Sequence, residues 1–112
     1  MNEVRFLYVT TPTKEEAQTL ARHLLEKKWI ACANLIPQME SIYEWDGKIQ
    51  TEVETLVILK TVSNCVERVI LEVESLHSYQ TPCVLELKIE SGSSKYMTWL
   101  AEQMDPTSAK SN

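Results

Sequence analysis

The chain has 112 residues, a net charge of −5 and a hydrophobic fraction of 44%, figures that exclude intrinsic disorder and leave room for one domain with a modest core. Its 11 Lys and Arg are dispersed along the sequence, so no basic stripe can neutralise a row of phosphates, and nucleic acid is excluded as a partner. No apolar run approaches the roughly 20 residues that span a bilayer, which excludes direct membrane insertion by a helix.

Phe6 to Thr10, Phe-Leu-Tyr-Val-Thr, reads as a first strand, rich in aromatic and β-branched residues and ended by Thr11-Pro12. Thr13 stands three residues before Glu16, the spacing of a capping box in which each side chain satisfies an orphan amide of a helix start. Ala17, Leu20, Ala21, Leu24 and Leu25 follow at helical spacing, and Lys27 and Lys28 suit the negative end of the helix dipole in its last turn. A second strand is expected from Ile30 to Ile36, interrupted at Pro37 and resumed from Glu40 to Trp45.

Asp46-Gly47 is a strong hairpin signal, because a type I′ turn needs positive φ at both central residues. It leads into a long third strand, Lys48 to Val62. The first half alternates Ile49, Thr51 and Val53 with Gln50, Glu52 and Glu54; Leu56-Val57-Ile58-Leu59 in the second half is apolar on both faces. Such a strand belongs partly to a core and partly to a protruding arm, and a two-stranded arm is marginal alone in water, so a neighbouring subunit is the expected cover.

Ser63 is the expected N-cap of a second helix carrying Val66, Val69, Ile70, Val73 and Leu76 as its apolar stripe. The loop His77-Ser78-Tyr79-Gln80-Thr81-Pro82 leads to a fourth strand with Leu85, Leu87 and Ile89 alternating with Glu86 and Lys88. After Ser91-Gly92-Ser93, a short helix places Tyr96, Met97, Trp99, Leu100 and Met104 at core-like spacing. The order β-α-β-β-α-β predicts an α+β, ferredoxin-like domain over residues 1–104 with a long second hairpin and an extra C-terminal helix. Residues 105–112 are expected to be a disordered polar tail.

Ile30-Ala31-Cys32-Ala33-Asn34-Leu35-Ile36-Pro37, then Ser41-Ile42-Tyr43-Glu44-Trp45-Asp46-Gly47-Lys48, then Ile58-Leu59-Lys60-Thr61 resemble the signature blocks of the CutA divalent-cation tolerance family. His77-x-Tyr79-x-x-Pro82 and Tyr96-x-x-Trp99-Leu100 resemble further blocks in the same order. The resemblance implies a homotrimer with hairpins paired across subunits and an architecture akin to the PII signalling proteins. It also implies a link to copper or another divalent cation in bacteria and, in animals, to the anchoring of acetylcholinesterase. A trimeric scaffold for such a partner and a PII-like small-molecule sensor are the alternative expectations.

The resemblance implies copper ligands at positions 9, 76 and 77, of which this chain keeps His77, with Val9 and Leu76 at the other two. Ser78 stands where the family has Pro, and Cys83 where it has Glu. A His77–Cys83 metal site completed by a partner subunit is therefore one expectation, since imidazole and thiolate suit Cu(I) and zinc. The other is that His77 complements a helix terminus and Cys83 is a small hydrophobe.

Lys60 either snorkels to water or lines an inter-subunit, ligand-binding cleft with Tyr79, Glu52 and Glu54. Trp45 and Tyr43, on one strand face near the hairpin tip, are expected at the trimer interface. Cys32 is expected to be buried and inert, Cys65 an exposed bystander. Without a Cys-x-x-Cys pair or a charged-then-apolar leader at Met1-Asn2-Glu3-Val4-Arg5, the expected location is cytoplasmic. With two glycines, no phosphate loop and no Arg in Thr10-Thr11-Pro12-Thr13, the chain is not expected to be an enzyme.

Overall fold

Alternating burial along the strands decides which face of the sheet carries the core. The computed structural model describes residues 3–104, and the expected tail, 105–112, lies outside the described residues. The elements are β1 (Val4–Thr11), α1 (Lys14–Glu26), β2 (Cys32–Trp45), β3 (Lys48–Val62), a 3-10 helical turn at Ser63–Cys65, α2 (Val66–Leu76), β4 (Val84–Lys88) and α3 (Ser94–Gln103). The strands form one sheet in the order β2-β3-β1-β4, antiparallel at every pairing. Over the described residues the fold is thus mixed α+β, a four-stranded antiparallel sheet with three helices.

Leu7 and Val9 of β1 lie opposite Leu59 and Val57 of β3, and all four are sealed from solvent. They pack with Ala17, Leu20 and Leu24 of α1, Val66, Val69 and Val73 of α2, and Leu100 of α3. Both long helices therefore cover this one face. Register places Phe6, Tyr8, Leu56, Ile58, Leu85 and Leu87 on the opposite face. There Leu85 is 58% and Leu87 44% exposed, although their alternation reads as half-buried.

The start of α1 is half of the expected capping box. Thr13 caps the helix by accepting from the Glu16 amide, but the Glu16 carboxylate reaches instead to Ser78, 62 positions along the chain. Lys27 caps the C-terminus and Lys28 follows at φ 64, so neither lies in the last turn. The Lys28 amide donates to Leu25 and the Trp29 amide to Leu24, the bonding of a Schellman motif built on a residue other than glycine. Leu25, expected on the apolar face, is exposed.

At Pro37 the strand bends without ending. Ile36 pairs with Leu56 and Met39 with Glu54, a bulge that leaves Pro37 and Gln38 unpaired, and Gln38 adopts φ 67. Asp46 and Gly47 have φ 55 and 78, as the two-residue hairpin turn requires. Ser63 does not cap α2 directly: the intervening turn makes Cys65 the N-cap, without a side-chain bond, and Ser63 accepts from the Glu3 amide. Cys65 is buried, not exposed, and Cys32 only partly buried. Of the expected stripes, Leu76, Tyr96 and Trp99 are exposed.

Candidate functional site: the 77–82 loop and the root of the hairpin

α2 ends where the ring of His77 drops into the fold. His77 is its C-cap, donating its amide to the Val73 carbonyl before the backbone turns extended at ψ 144. The side chain is fully enclosed. Its Nε2 donates to the Thr10 carbonyl at 2.7 Å, and its Nδ1 accepts from the Tyr79 amide at 3.0 Å. An amide N–H can only donate, so Nδ1 carries the lone pair and the hydrogen-bond pattern assigns a neutral ring protonated at Nε2. The Nδ1 acceptor two residues before the bonded amide reproduces the geometry by which Asn and Asp side chains stabilise turns.

Two carboxylates flank this turn. Glu16 takes Ser78 with both oxygens, Oε2 from the amide at 2.9 Å and Oε1 from Oγ at 2.8 Å, and its Oε2 lies 3.5 Å from His77 Nδ1. A proline at position 78 would have neither donor. Glu54, at the root of the hairpin, accepts from the Tyr79 hydroxyl at 2.8 Å and from Ser41 Oγ. The Tyr79 ring leans on His77 with centroids 4.8 Å apart. Burial, then the bond to Glu54 and the charges of Glu54, Glu52 and Glu16, raise the Tyr79 phenol well above its ordinary value near 10. Burial and Glu54 likewise raise the Cys83 thiol, and burial and Glu52 the Tyr43 phenol.

Among the residues expected to form a site, the structure brings His77, Tyr79 and Glu54 together, with Glu52 and Cys83 within electrostatic reach, and leaves Lys60 apart. Lys60 is six positions from Glu54 on the same strand, roughly 20 Å at the rise of a β-strand. It donates to the Tyr96 hydroxyl at 3.1 Å, with its ammonium 5.3 Å from the Phe6 and Tyr96 ring centroids. Within one chain, Lys60 therefore does not line a cleft with Tyr79. Trp45 and Tyr43 sit on the arm, Trp45 being 69% exposed.

The donor set does not fit a copper or zinc site within the chain. Val9, at one implied ligand position, is a sealed core residue, Leu76 at another is exposed, and both nitrogens of His77 are occupied. The thiol of Cys83 is held toward its protonated form, whereas the thiolate is the metal ligand. No group of three or more His, Cys, Asp or Glu among the described residues could hold an ion. Sequence reasoning missed Glu16, Ser41 and the Thr10 carbonyl as parts of this network. Only the Thr13–Glu16 spacing pointed to any of them, and it pointed to a local bond.

The family model described as CutA1 divalent ion tolerance protein matches residues 5–103. The divalent-cation tolerance protein CutA of Archaeoglobus fulgidus is 41% identical over 100 residues, covering 89% of this chain and 97% of that protein. The chloroplastic protein CutA of Arabidopsis thaliana is 42% identical over 94 residues, covering 84% of this chain, which spans about half (52%) of that relative's length. Among solved structures, divalent ion tolerance protein CutA1 of Ehrlichia chaffeensis superimposes with a TM-score of 0.89 at 32% identity, over 94% of this chain and 98% of that one. The periplasmic divalent cation tolerance protein CutA of Archaeoglobus fulgidus gives 0.85 at 40% identity, over 91% and 99%. The sequence match across nearly all of the sheet and helices, and the superposition of the whole fold, lead to one conclusion: this chain belongs to the CutA1 divalent ion tolerance protein family.

Proposed function

We propose that the chain is the subunit of a ferredoxin-like CutA homotrimer that supports divalent-cation tolerance as a binding and assembly platform, and not as an enzyme. The observation that carries this reading is the unpartnered apolar surface of the arm: Ile42, Ile49 and Val53, which register places on one face, are all more than half exposed, and Trp45 is exposed on the other. Soluble proteins rarely leave contiguous apolar patches of this kind uncovered. The strand order β2-β3-β1-β4 supports the ferredoxin-like part of the proposal, and the elongated outline, 51 × 27 × 23 Å, fits an arm that reaches a neighbouring copy.

Copper or another divalent cation is proposed as cargo of the assembled platform, held by donors from more than one copy. The three free thiols, Cys32, Cys65 and Cys83, support a cytoplasmic setting, while the names of relatives include chloroplastic and periplasmic proteins. Native mass spectrometry under reducing conditions, with and without copper, tests the proposal. A trimer that takes up copper in multiples of three is expected; a monomer overturns the assembly, and a trimer that takes up no metal overturns the cargo.

A further inference from the structure

We propose that His77 is a neutral positioning residue that anchors Tyr79 to Glu54 at the hairpin root, and that binding of soft metals by this chain does not run through its ring. The ring joins three parts of the fold that are remote in sequence. Through Nε2–H it holds the Thr10 carbonyl near the end of β1, and through Nδ1 it holds the amide of Tyr79. Tyr79 in turn donates to Glu54 of β3, whose other oxygen accepts from Ser41 of β2. The chain of contacts therefore runs from β1, through the loop, to both strands of the arm just beyond the bulge.

A metal ion needs a ring nitrogen with a free lone pair, and here the only lone pair points at an amide proton. Coordination at Nδ1 would strip the Tyr79 amide of its acceptor. Coordination at Nε2 would displace the proton that satisfies the Thr10 carbonyl. Both groups belong to residues that are buried or half-buried, so each loss leaves a polar group unpaired away from water, which is costly. Each oxygen of the Glu16 carboxylate already accepts one bond from Ser78, so a metal ion at Glu16 would have to share it with the loop. The inference stands apart from the proposed assembly: it concerns contacts inside one chain, and a monomer would give the same result.

Nitrogen-15 NMR of the reduced, full-length protein reads the ring directly. The expected spectrum is that of the Nε2–H tautomer, unchanged when zinc alone or copper(I) alone is added to saturation. In parallel, hydrogen exchange at the Tyr79 amide should speed up in His77→Ala, which removes that amide's acceptor. His77→Asn, whose side-chain oxygen can accept from the Tyr79 amide as Nδ1 does, should restore the protection. Neither substitution should change zinc or copper(I) affinity. The proposal is overturned by movement of the His77 ring resonances on adding either metal, by a loss of about tenfold or more in affinity in His77→Asn, or by Tyr79 amide exchange that both variants leave as it was. The wild-type spectra decide the metal question alone should His77→Ala fail to fold.

Discussion

The two halves of β3 belong to different physical worlds. From Thr55 to Val62 every second side chain is sealed under α1 and α2, whereas from Lys48 to Val53 all but the part-buried Gln50 are exposed. The strand is continuous and its pairing with β2 resumes beyond the bulge at Pro37 and Gln38, so backbone hydrogen bonding is not what differs. Side-chain burial differs. The core half is held by its own chain, and the arm by its ladder, its turn, the Ser41–Glu54 bond and the contacts that the 77–82 loop makes at its root. Backbone pairing sets the shape of a ribbon, but burial is what makes a ribbon stable in water.

The sharpest way to break this comparison is to truncate one apolar residue in each half. Leu59→Ala, in the sealed core, should cost about 2–5 kcal/mol in chemical denaturation. Ile49→Ala on the arm should stay within about 0.5 kcal/mol for a dissociated chain, while weakening self-association in sedimentation. An equal loss in both variants of a dissociated chain would show that the arm is not the dependent half.

The root of the hairpin lies between the two regimes, and its bonds should have intermediate value. Tyr79→Phe removes the donor to Glu54 and should cost about 1–2 kcal/mol. The sign of its pH dependence follows from the raised phenol. A folded value above the unfolded one means that this stability is complete below the unfolded value near 10 and is lost as pH rises above it. Wild type should therefore lose stability above about pH 10 more steeply than Tyr79→Phe, in denaturation curves collected across that range. Cys83, raised by burial and Glu54, should alkylate more slowly at pH 8 than Cys83 in urea-unfolded protein, as followed by mass spectrometry.

Smaller effects test the backbone at the boundaries of the two halves. Lys28 and Gln38 both hold left-handed φ without being glycine. Lys28→Gly, at the end of α1, should raise stability by up to about 1 kcal/mol in thermal unfolding, since the left-handed region costs an L-residue roughly that much. Gln38→Gly, at the bulge where the arm leaves the core, should gain less, because the added freedom of the unfolded chain is set against an arm that is loosely held.

What could be read from the sequence was set by local chemistry. Asp46-Gly47 named its own turn because φ is decided within a residue, and an alternating half followed by an apolar half marked β3 from Lys48 to Val62 as observed. Thr13 caps α1 through a bond spanning three residues. The left-handed ends at Lys28 and Gln38 escaped, because neither residue type advertises positive φ and tertiary contacts must hold it. The same division explains the site. His77 and Tyr79 stood out as chemistry-bearing residues of one short loop, and their mutual contact is nearly local.

The partners that give those residues their roles are tertiary. Thr10 is 67 positions from His77, Glu16 is 62 from Ser78, and Glu54 is 25 from Tyr79. A side chain reports its donors and acceptors by its identity, but which of them remain free is fixed only when the chain returns on itself. The sequence by itself determined the strand and helix order, the turn, and a histidine able to bind a metal. Only the tertiary structure decided that its two nitrogens are occupied and that Tyr79 reaches Glu54, because hydrogen-bond saturation and contact between remote segments are properties of the assembled fold.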